Sequence, residues 1–378
     1  MKIGEFIQQP QGFKTFVPDK FPHKDLSSVI LNPQTSQLHA RAAFLLGKLD
    51  GITQLLPDLD FFIFMYVRKE AAFSSEIEGT RATMIDAIRA EVELTRDLPN
   101  DVENILKYID AMNYGLKRLE NFPLSLRLIR EVHKTLLEQT QGGIGKTPGE
   151  FRTSQNWIGG ASPATARFVP PPVAAMHDAL GDLEKFLHNS ADIPPLIKTA
   201  LAHSQFETIH PFLDGNGRTG RLLVTFYLCQ QEVLERPVLY LSAYFKKHRD
   251  TYFDLLNGYH NKGEIVPWLN FFLEGVAEVA EAAIKVSQAI NILREEDQMK
   301  IQAFGRSAGV AMKVLRALYK LPIVDVRKIQ ELTGYSRTAA NNFVKKLVDL
   351  EILVQRNKKA TYGRQFEYAR YLKLFAKE

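Results

Sequence analysis

The chain has 378 residues, 45% of them hydrophobic and 24% charged, an ordinary soluble composition with enough length for two or three domains. No apolar run is long enough to cross a bilayer, and the opening residues lack the apolar centre of a signal peptide, so a cytoplasmic protein with no membrane partner is expected. The net charge of +5 is unevenly spread: from Ile301 onward there are 16 Lys and Arg against 6 Asp and Glu, which makes the tail the basic part.

In chain order, Ser36 is expected to cap a helix whose apolar stripe is Leu38, Ala42, Leu45, Leu49 and Ile52. The segment from Asp58 to Glu78 is too apolar to be exposed and stops at Gly79, which predicts a buried helix. Two further helices are expected over 101–119 and 126–139, separated by the breaker NFPLS. The stretch RTSQNWIGGASPATARFVPPP has β-branched and aromatic residues around a Gly/Ser/Pro turn, so it reads as a hairpin, the only β structure expected in the first 300 residues. Helix returns at 173–189 and 194–209, breaks at Pro211, restarts near Arg218, and continues through 242–259 and 264–298. The polar REEDQMK at 294–300 is expected to connect to the tail. The lone cysteine, Cys229, cannot form an internal disulfide or a structural zinc site. Its spacing with Leu222, Phe226 and Val233 makes it a core thiol.

Between two of these helices lies HPFLDGNGRTGR, His210 to Arg221. Free amides at a helix start, preceded by Gly215 and Gly217, form a cradle for phosphate oxygens. Arg218 and Arg221, three residues apart, can face one anion in the fork geometry that suits phosphate. Asp214 could hold a Mg²⁺ that bridges phosphate oxygens, and His210 could accept a proton from an attacking hydroxyl. Phe212 would pin the loop to the core. Together these types describe phosphoryl or nucleotidyl transfer, which is mostly positioning and charge neutralisation. A metal triad of His203, His210 and Asp214 is the lesser alternative.

The segment matches the signature of the Fic family, HxFx(D/E)GNGRxxR, at every fixed position, and the resemblance extends over roughly residues 35 to 285. It implies a helical protein that transfers AMP from ATP to a hydroxyl side chain of a target protein. By that resemblance His210 is the base, and Asp214 holds Mg²⁺ between the α and β phosphates. Gly215, Asn216 and Gly217 supply the anion hole, and Arg218 and Arg221 neutralise the β and γ phosphates. A phosphorylating branch has lysine where this chain has Gly217, so Gly217 favours AMP transfer. The hairpin carrying Trp157, Ile158 and Gly159 resembles the family's flap, which clamps the target backbone as an added strand. Tyr252 and Asn261 fall where relatives line the adenine pocket.

Upstream, SSEIEG ends its helix with Glu78 in the last turn, where a carboxylate faces the negative end of the helix dipole. Local rules that fail tend to mark function. The stretch resembles the family's inhibitory motif (S/T)xxxE(G/N), with Ser74, Glu78 and Gly79 matching. The resemblance implies that Glu78 pairs with Arg221 and keeps it from the ATP γ-phosphate.

From Ala308 the pattern is helix, helix, turn, helix, hairpin. Ser336 caps a helix whose buried stripe is Ala340, Phe343 or Val344, Leu347 and Leu350. Its other face carries Arg337, Thr338, Asn341, Asn342, Lys345 and Lys346, which suits base edges and phosphates in a major groove. Arg356, Lys358, Lys359 and Arg364 follow around Gly363. The segment resembles a winged helix-turn-helix domain, a fold that binds DNA and also docks proteins or dimerises. The expected fold class is therefore mainly α: a helical Fic core with a small β-hairpin flap, plus a C-terminal winged-helix domain. Expected domains are an N-terminal helical region with the inhibitory helix at 1–110, a Fic catalytic domain at 111–298 and the winged helix at 299–378. The expected partners are a protein presenting a Ser, Thr or Tyr hydroxyl, a second copy of the chain, and DNA. Two other functions stay open: a nucleotide-sensing, DNA-binding regulator, and a Fic-type transferase with another nucleotide donor.

Overall fold

The computed structural model describes all residues except 25, 85, 89–98, 190–192, 357–362 and 377–378. Lys358 and Lys359 of the expected wing lie outside the described residues. Two compact units emerge, one of residues 1–47 and 67–280, the other of residues 48–66 and 281–378.

The first unit is mainly helical, and its boundaries at residues 47, 67 and 280 fall inside three helices whose remaining residues belong to the second. Helix α1 spans Leu26–Ile30, α2 Pro33–Thr53 and α3 Leu59–Ile77; α4 follows at Asn100–Leu119, α5 at Leu126–Leu137 and α6 at Val173–His188. Then come α7 at Pro195–Ile209, α8 at Asn216–Gln230, α9 at Ser242–Lys247, α10 at Arg249–Lys262 and α11 at Ile265–Ile301. Its core is the pair α7 and α8, packed on each other and buried almost all round, as a central helix pair must be. Helices α4 and α5 pack together and against α8. Gly115 of α4 faces the Phe226 ring so closely that any side chain there would collide.

Several expectations shift by a turn or less. Helix α2 begins at Pro33, and Asn32 caps it by accepting from Gln34 N and Thr35 N at 3.1 and 3.3 Å. Ser36 is therefore inside the helix, because a proline at the first helical position needs no amide partner and sets the start earlier. The stripe runs through Ala42, Leu46 and Leu49, with Leu45 only half-buried. Helix α8 starts at Asn216, two residues before Arg218, because Gly215 takes the left-handed turn at φ 74°. The segment 242–259 is two helices, broken at His248. REEDQMK lies inside α11.

The expected flap closes on one antiparallel bridge, Ile158 to Phe168, with Ile158 N donating to Phe168 O at 2.8 Å. A second hairpin precedes it: β1, Gly4–Gln8, pairs antiparallel with β2, Lys14–Pro18, in the register Phe6 to Phe16. It overturns the expectation of a single β element in the first 300 residues. β1 carries no buried face, so its sequence has no period-two signal to read.

In the second unit, α12 spans Ala308–Lys320, α13 Val326–Thr333, α14 Arg337–Asp349 and α15 Ala369–Ala376. Asp325 and Ser336 cap α13 and α14 by accepting from Lys328 N and Ala339 N, and Gly334 turns the chain between them at φ 74°. Strands β3, Ile323–Asp325, β4, Val354–Gln355, and β5, Gln365–Glu367, form an antiparallel sheet in the order β3-β5-β4. The buried Asp297 carboxylate accepts from Tyr368 Oη at 2.5 Å and Arg370 Nη1 at 2.7 Å, which satisfies its charge.

Candidate active site

The loop between α7 and α8 is held by side chains from elsewhere in the chain. His210 ends α7 in a left-handed conformation, φ 47° and ψ 61°, forced out of the helix by the proline that follows. Its carbonyl accepts from Asn156 Nδ2 at 3.0 Å and from Arg152 Nε at 3.1 Å. Asn156 also donates to Phe212 O at 2.8 Å, and Asn216 clamps Phe212 through both its side-chain atoms at 2.9 and 2.8 Å. The Phe212 ring is fully buried and stacks on His133 at 3.6 Å, as expected of a pin. His133 Nδ1 accepts from Gly149 N at 2.9 Å, which leaves its proton on Nε2 to donate to Asp214 O at 2.9 Å.

A cavity of about 770 Å³ opens beside this loop. His210, Gly217, Arg221, Glu78 and Tyr252 line it, together with Trp157, Ile158 and Gly159 of the flap. One face of α10 forms another wall through Arg249, Phe253, Leu256, Asn257 and His260. Asn261 is not on this wall: it lies on a smaller cavity of about 370 Å³ and reaches the main one only through Asn257, whose Oδ1 accepts from Asn261 Nδ2 at 2.7 Å. The helical turn that faces Asn257 into the cavity faces Asn261 past it. Tyr252 is buried with its hydroxyl bonded to His203 Nε2 at 2.9 Å. Asp214, Gly215, Asn216 and Arg218 flank the cavity in sequence but are not on its wall; Arg218 is buried with its Nε unpartnered.

Arg221, 2% exposed, donates to Ser74 Oγ at 2.8 Å, Ser74 O at 3.0 Å and Glu78 Oε1 at 2.7 Å. Burial pushes the Glu78 carboxyl up, but the charge and hydrogen bond of Arg221 outweigh it and hold the group below the usual carboxylate value. A β-carbon at Gly217 would meet Glu78 Oε1, so the carboxylate would have to shift from its present place for any side chain there. One and two turns before Glu78 on α3, Ser74 and Glu70 share its face. The buried Glu70 carboxylate accepts from Ser242 N at 3.0 Å, Ser242 Oγ at 2.5 Å and Tyr108 Oη at 3.1 Å.

Burial and the nearby Arg152 lower the His210 imidazole to about 4, against the opposing charge of Glu78 and the backbone of Glu207. It is therefore neutral at physiological pH and can accept a proton. Glu207, one turn earlier on α7, has Oε2 3.9 Å from His210 Nδ1, and burial pushes its carboxyl up to about 8 despite Arg221. His203 has both ring nitrogens engaged, with Gly220 O and Tyr252 Oη at 2.9 Å each, so it is no metal ligand. Among the described residues no group of three His, Cys, Asp or Glu could hold a metal. Asp214 offers one carboxylate beside the loop, its Oδ1 accepting from Gly215 N at 2.6 Å, and a Mg²⁺ that keeps substrate phosphates in its shell would need only one or two.

Arg152, Asn156, His133, Glu207 and, apart from Tyr252, the cavity face of α10 escaped the sequence reading. Arg152, Asn156, His133 and the α10 residues meet the loop across long separations, and Glu207, three residues before His210, lies outside the motif, so no motif spacing announces them. In the second unit, Arg337, Thr338, Asn342, Lys345 and Lys346 are exposed on α14, and Asn341 is half-buried, accepting from Arg364 Nη2 at 2.6 Å.

Residues 36–117 match the Fic/DOC family N-terminal profile, and residues 123–228 match the Fic/DOC family. The chain is 30% identical over 197 residues to the protein adenylyltransferase Fic of Aedes aegypti, covering 50% of this chain and 35% of that one. It is 29% identical over 215 residues to the protein adenylyltransferase Fic of Culex quinquefasciatus, covering 54% and 39%. It thus spans less than half the length of these relatives. In fold it is similar to a Fic family protein from Desulfovibrio desulfuricans G20, with TM-score 0.58, 18% identity and coverage of 89% of this chain and 96% of that one. A Fic domain containing signaling protein from Bacteroides thetaiotaomicron VPI-5482 gives TM-score 0.53 at 21% identity, covering 68% and 97%. Residues 36–117 and 123–228 are therefore the Fic/DOC family segments of this chain, carried on a mainly helical fold shared with solved Fic proteins.

Proposed function

We propose that this chain is a protein adenylyltransferase that moves AMP from ATP to a Ser, Thr or Tyr hydroxyl and is restrained by its own Glu78. The observation that carries this reading is that His210, Gly217, Arg221 and the Ile158 flap face one cavity. A triphosphate laid along the start of α8 would meet its amides and Arg221. A target strand added beside Ile158 would bring a hydroxyl to His210. The hydroxyl oxygen attacks the α-phosphorus, the bond to the β-phosphate breaks, pyrophosphate leaves, and the hydroxyl proton goes to the neutral imidazole. Asp214 would hold Mg²⁺, which when bound supplies charge neutralisation on the phosphates. Tyr252 closes the base end as a packing residue, and Asn261 supports Asn257 there.

Restraint follows from the contact of Glu78 with Arg221, because a guanidinium held by a carboxylate at 2.7 Å is withheld from a γ-phosphate. Intact mass after incubation with each nucleoside triphosphate tests the whole reading. Glu78→Gly should gain the mass of AMP from ATP about 5- to 150-fold faster than the parent, the range of an ordinary coupling free energy. His210→Ala should lose at least about 100-fold. Equal rates in parent and Glu78→Gly would remove the restraint, and transfer from another triphosphate would change the donor.

A second reading, a nucleotide-sensing DNA-binding regulator, draws on the exposed basic face of α14 in what we read as a winged helix. It differs in leaving no covalent mark on protein.

A further inference from the structure

We propose that Arg152 is the positioning residue for His210, gripping the carbonyls that fix its left-handed turn and joining that turn to both ends of the flap. The inference rests on the reading of His210 as the proton acceptor. Arg152 is 1% exposed, and the three hydrogen bonds of its guanidinium all go to backbone carbonyls. Nε donates to His210 O at 3.1 Å, Nη1 to Ser154 O at 3.2 Å and Nη2 to Pro171 O at 2.6 Å. Its own amide donates to Pro211 O at 2.9 Å. Ser154 and Pro171 bracket the Ile158 to Phe168 bridge, so one rigid fork sets the base of the flap and the turn that aims the imidazole.

That turn needs holding. A non-glycine residue at φ 47° crowds its own β-carbon against the backbone, and His210 has no glycine's tolerance. Asn156 shares the grip on His210 O, but only Arg152 spans both flap ends as well. A lysine could keep the charge and would lose the fork, since a single ammonium cannot reach three carbonyls in one plane.

The same guanidinium has an electrostatic consequence. With burial, its charge disfavours the imidazolium, lowering His210 to about 4; the charge of Glu78, just past α3, and the backbone of Glu207 in α7 act the other way, and His260 from α10 lies close enough to feel His210. Removing the charge should therefore move the His210 midpoint upward, and replacing it by an ammonium should not.

Arg152→Lys and Arg152→Met, each in the Glu78→Gly background, test this with two readouts: transfer kinetics from labelled ATP, and titration of ring-labelled His210 by NMR. Both variants should lower kcat by about 100-fold, as misplacement of a reacting group does. KM for ATP should stay within about twofold, because the phosphate cradle is untouched. Arg152→Met should raise the His210 midpoint, and Arg152→Lys should leave it in place. An unchanged kcat in Arg152→Lys, or identical His210 shifts and midpoint in Arg152→Met, overturns the proposal. If Arg152→Met has no melting transition, the kinetics and ring shifts of Arg152→Lys decide. If Glu78→Gly itself transfers nothing, the reading of His210 as proton acceptor fails, while the His210 titration still decides whether Arg152 holds that side chain.

Discussion

Gly217 illustrates how one position can answer to two demands. It belongs to the helix start that would cradle phosphate, and it also leaves the space into which Glu78 reaches to meet Arg221. A β-carbon there would crowd Arg221 Nη1 at 3.0 Å as well as the carboxylate. Gly217→Ala should therefore cost stability in the parent and less in Glu78→Gly, where the closer of the two contacts is gone. A coupling of about 1 kcal/mol is expected, at the low end for contacting residues because 41% of the Glu78 side chain faces solvent. Urea unfolding of the four proteins of the double-mutant cycle measures it; strict additivity would mean that the two groups do not meet. The glycine itself was legible in the motif. Its second duty was not, because Glu78 lies far away in sequence and only packing brings it there.

Among the elements, α3 and α14 show what periodicity can and cannot convey. Both were legible as helices: α3 from its apolar length and terminal glycine, α14 from its Ser336 cap and its stripe of Ala340, Phe343, Val344 and Leu347. What α3 does with Glu70 and Ser74, and with Glu78 one residue past its end, was only partly legible. The 4-residue spacing puts all three on one face, but the anchors Ser242 and Tyr108 come from other helices. The β1 and β2 hairpin went unread because its outer strand is exposed on both faces, so alternation is absent. On α14 the basic side chains stand in solvent. If they contact DNA phosphates, Lys345→Ala with Lys346→Ala should reduce the slope of log K against log salt by about two. A slope that is the same with and without both lysines assigns this face elsewhere.

For the molecule as a whole, the buried histidines set the response to acid. His23, His133, His203 and His210 are lowered to about 4 and His260 to about 3, in each case first by burial. A folded pKa below the unfolded value of 6.5 means that unfolding takes up protons, so their contribution is complete above pH 6.5 and is lost as pH falls towards 4. Glu70 and Glu207 are raised by burial and act in the opposite direction, favouring the folded state at lower pH. The histidines outnumber these carboxyls, so unfolding takes up protons on balance between pH 4.5 and 6.5. The unfolding free energy in urea should thus peak near pH 6.5, fall steeply below it, and decline gently towards pH 8. Glu207→Gln should reduce that upper decline; a curve that stays flat below pH 6.5 would contradict the burial of these imidazoles. By itself the sequence determined the local chemistry: a glycine-rich loop with its imidazole, carboxylate and guanidiniums, and the breaks that place it between two helices. These depend on neighbouring residues and on backbone preference. The tertiary structure alone decided that Arg152, His133 and Asn156 hold the loop and that Asn257 faces the cavity where Asn261 does not; the meeting of Glu78 with Arg221, which the motif resemblance implied, is likewise made by packing. The reason is physical: burial of apolar surface is non-directional and brings together whatever the packed helices carry, so the partners of a site are chosen by packing across the chain.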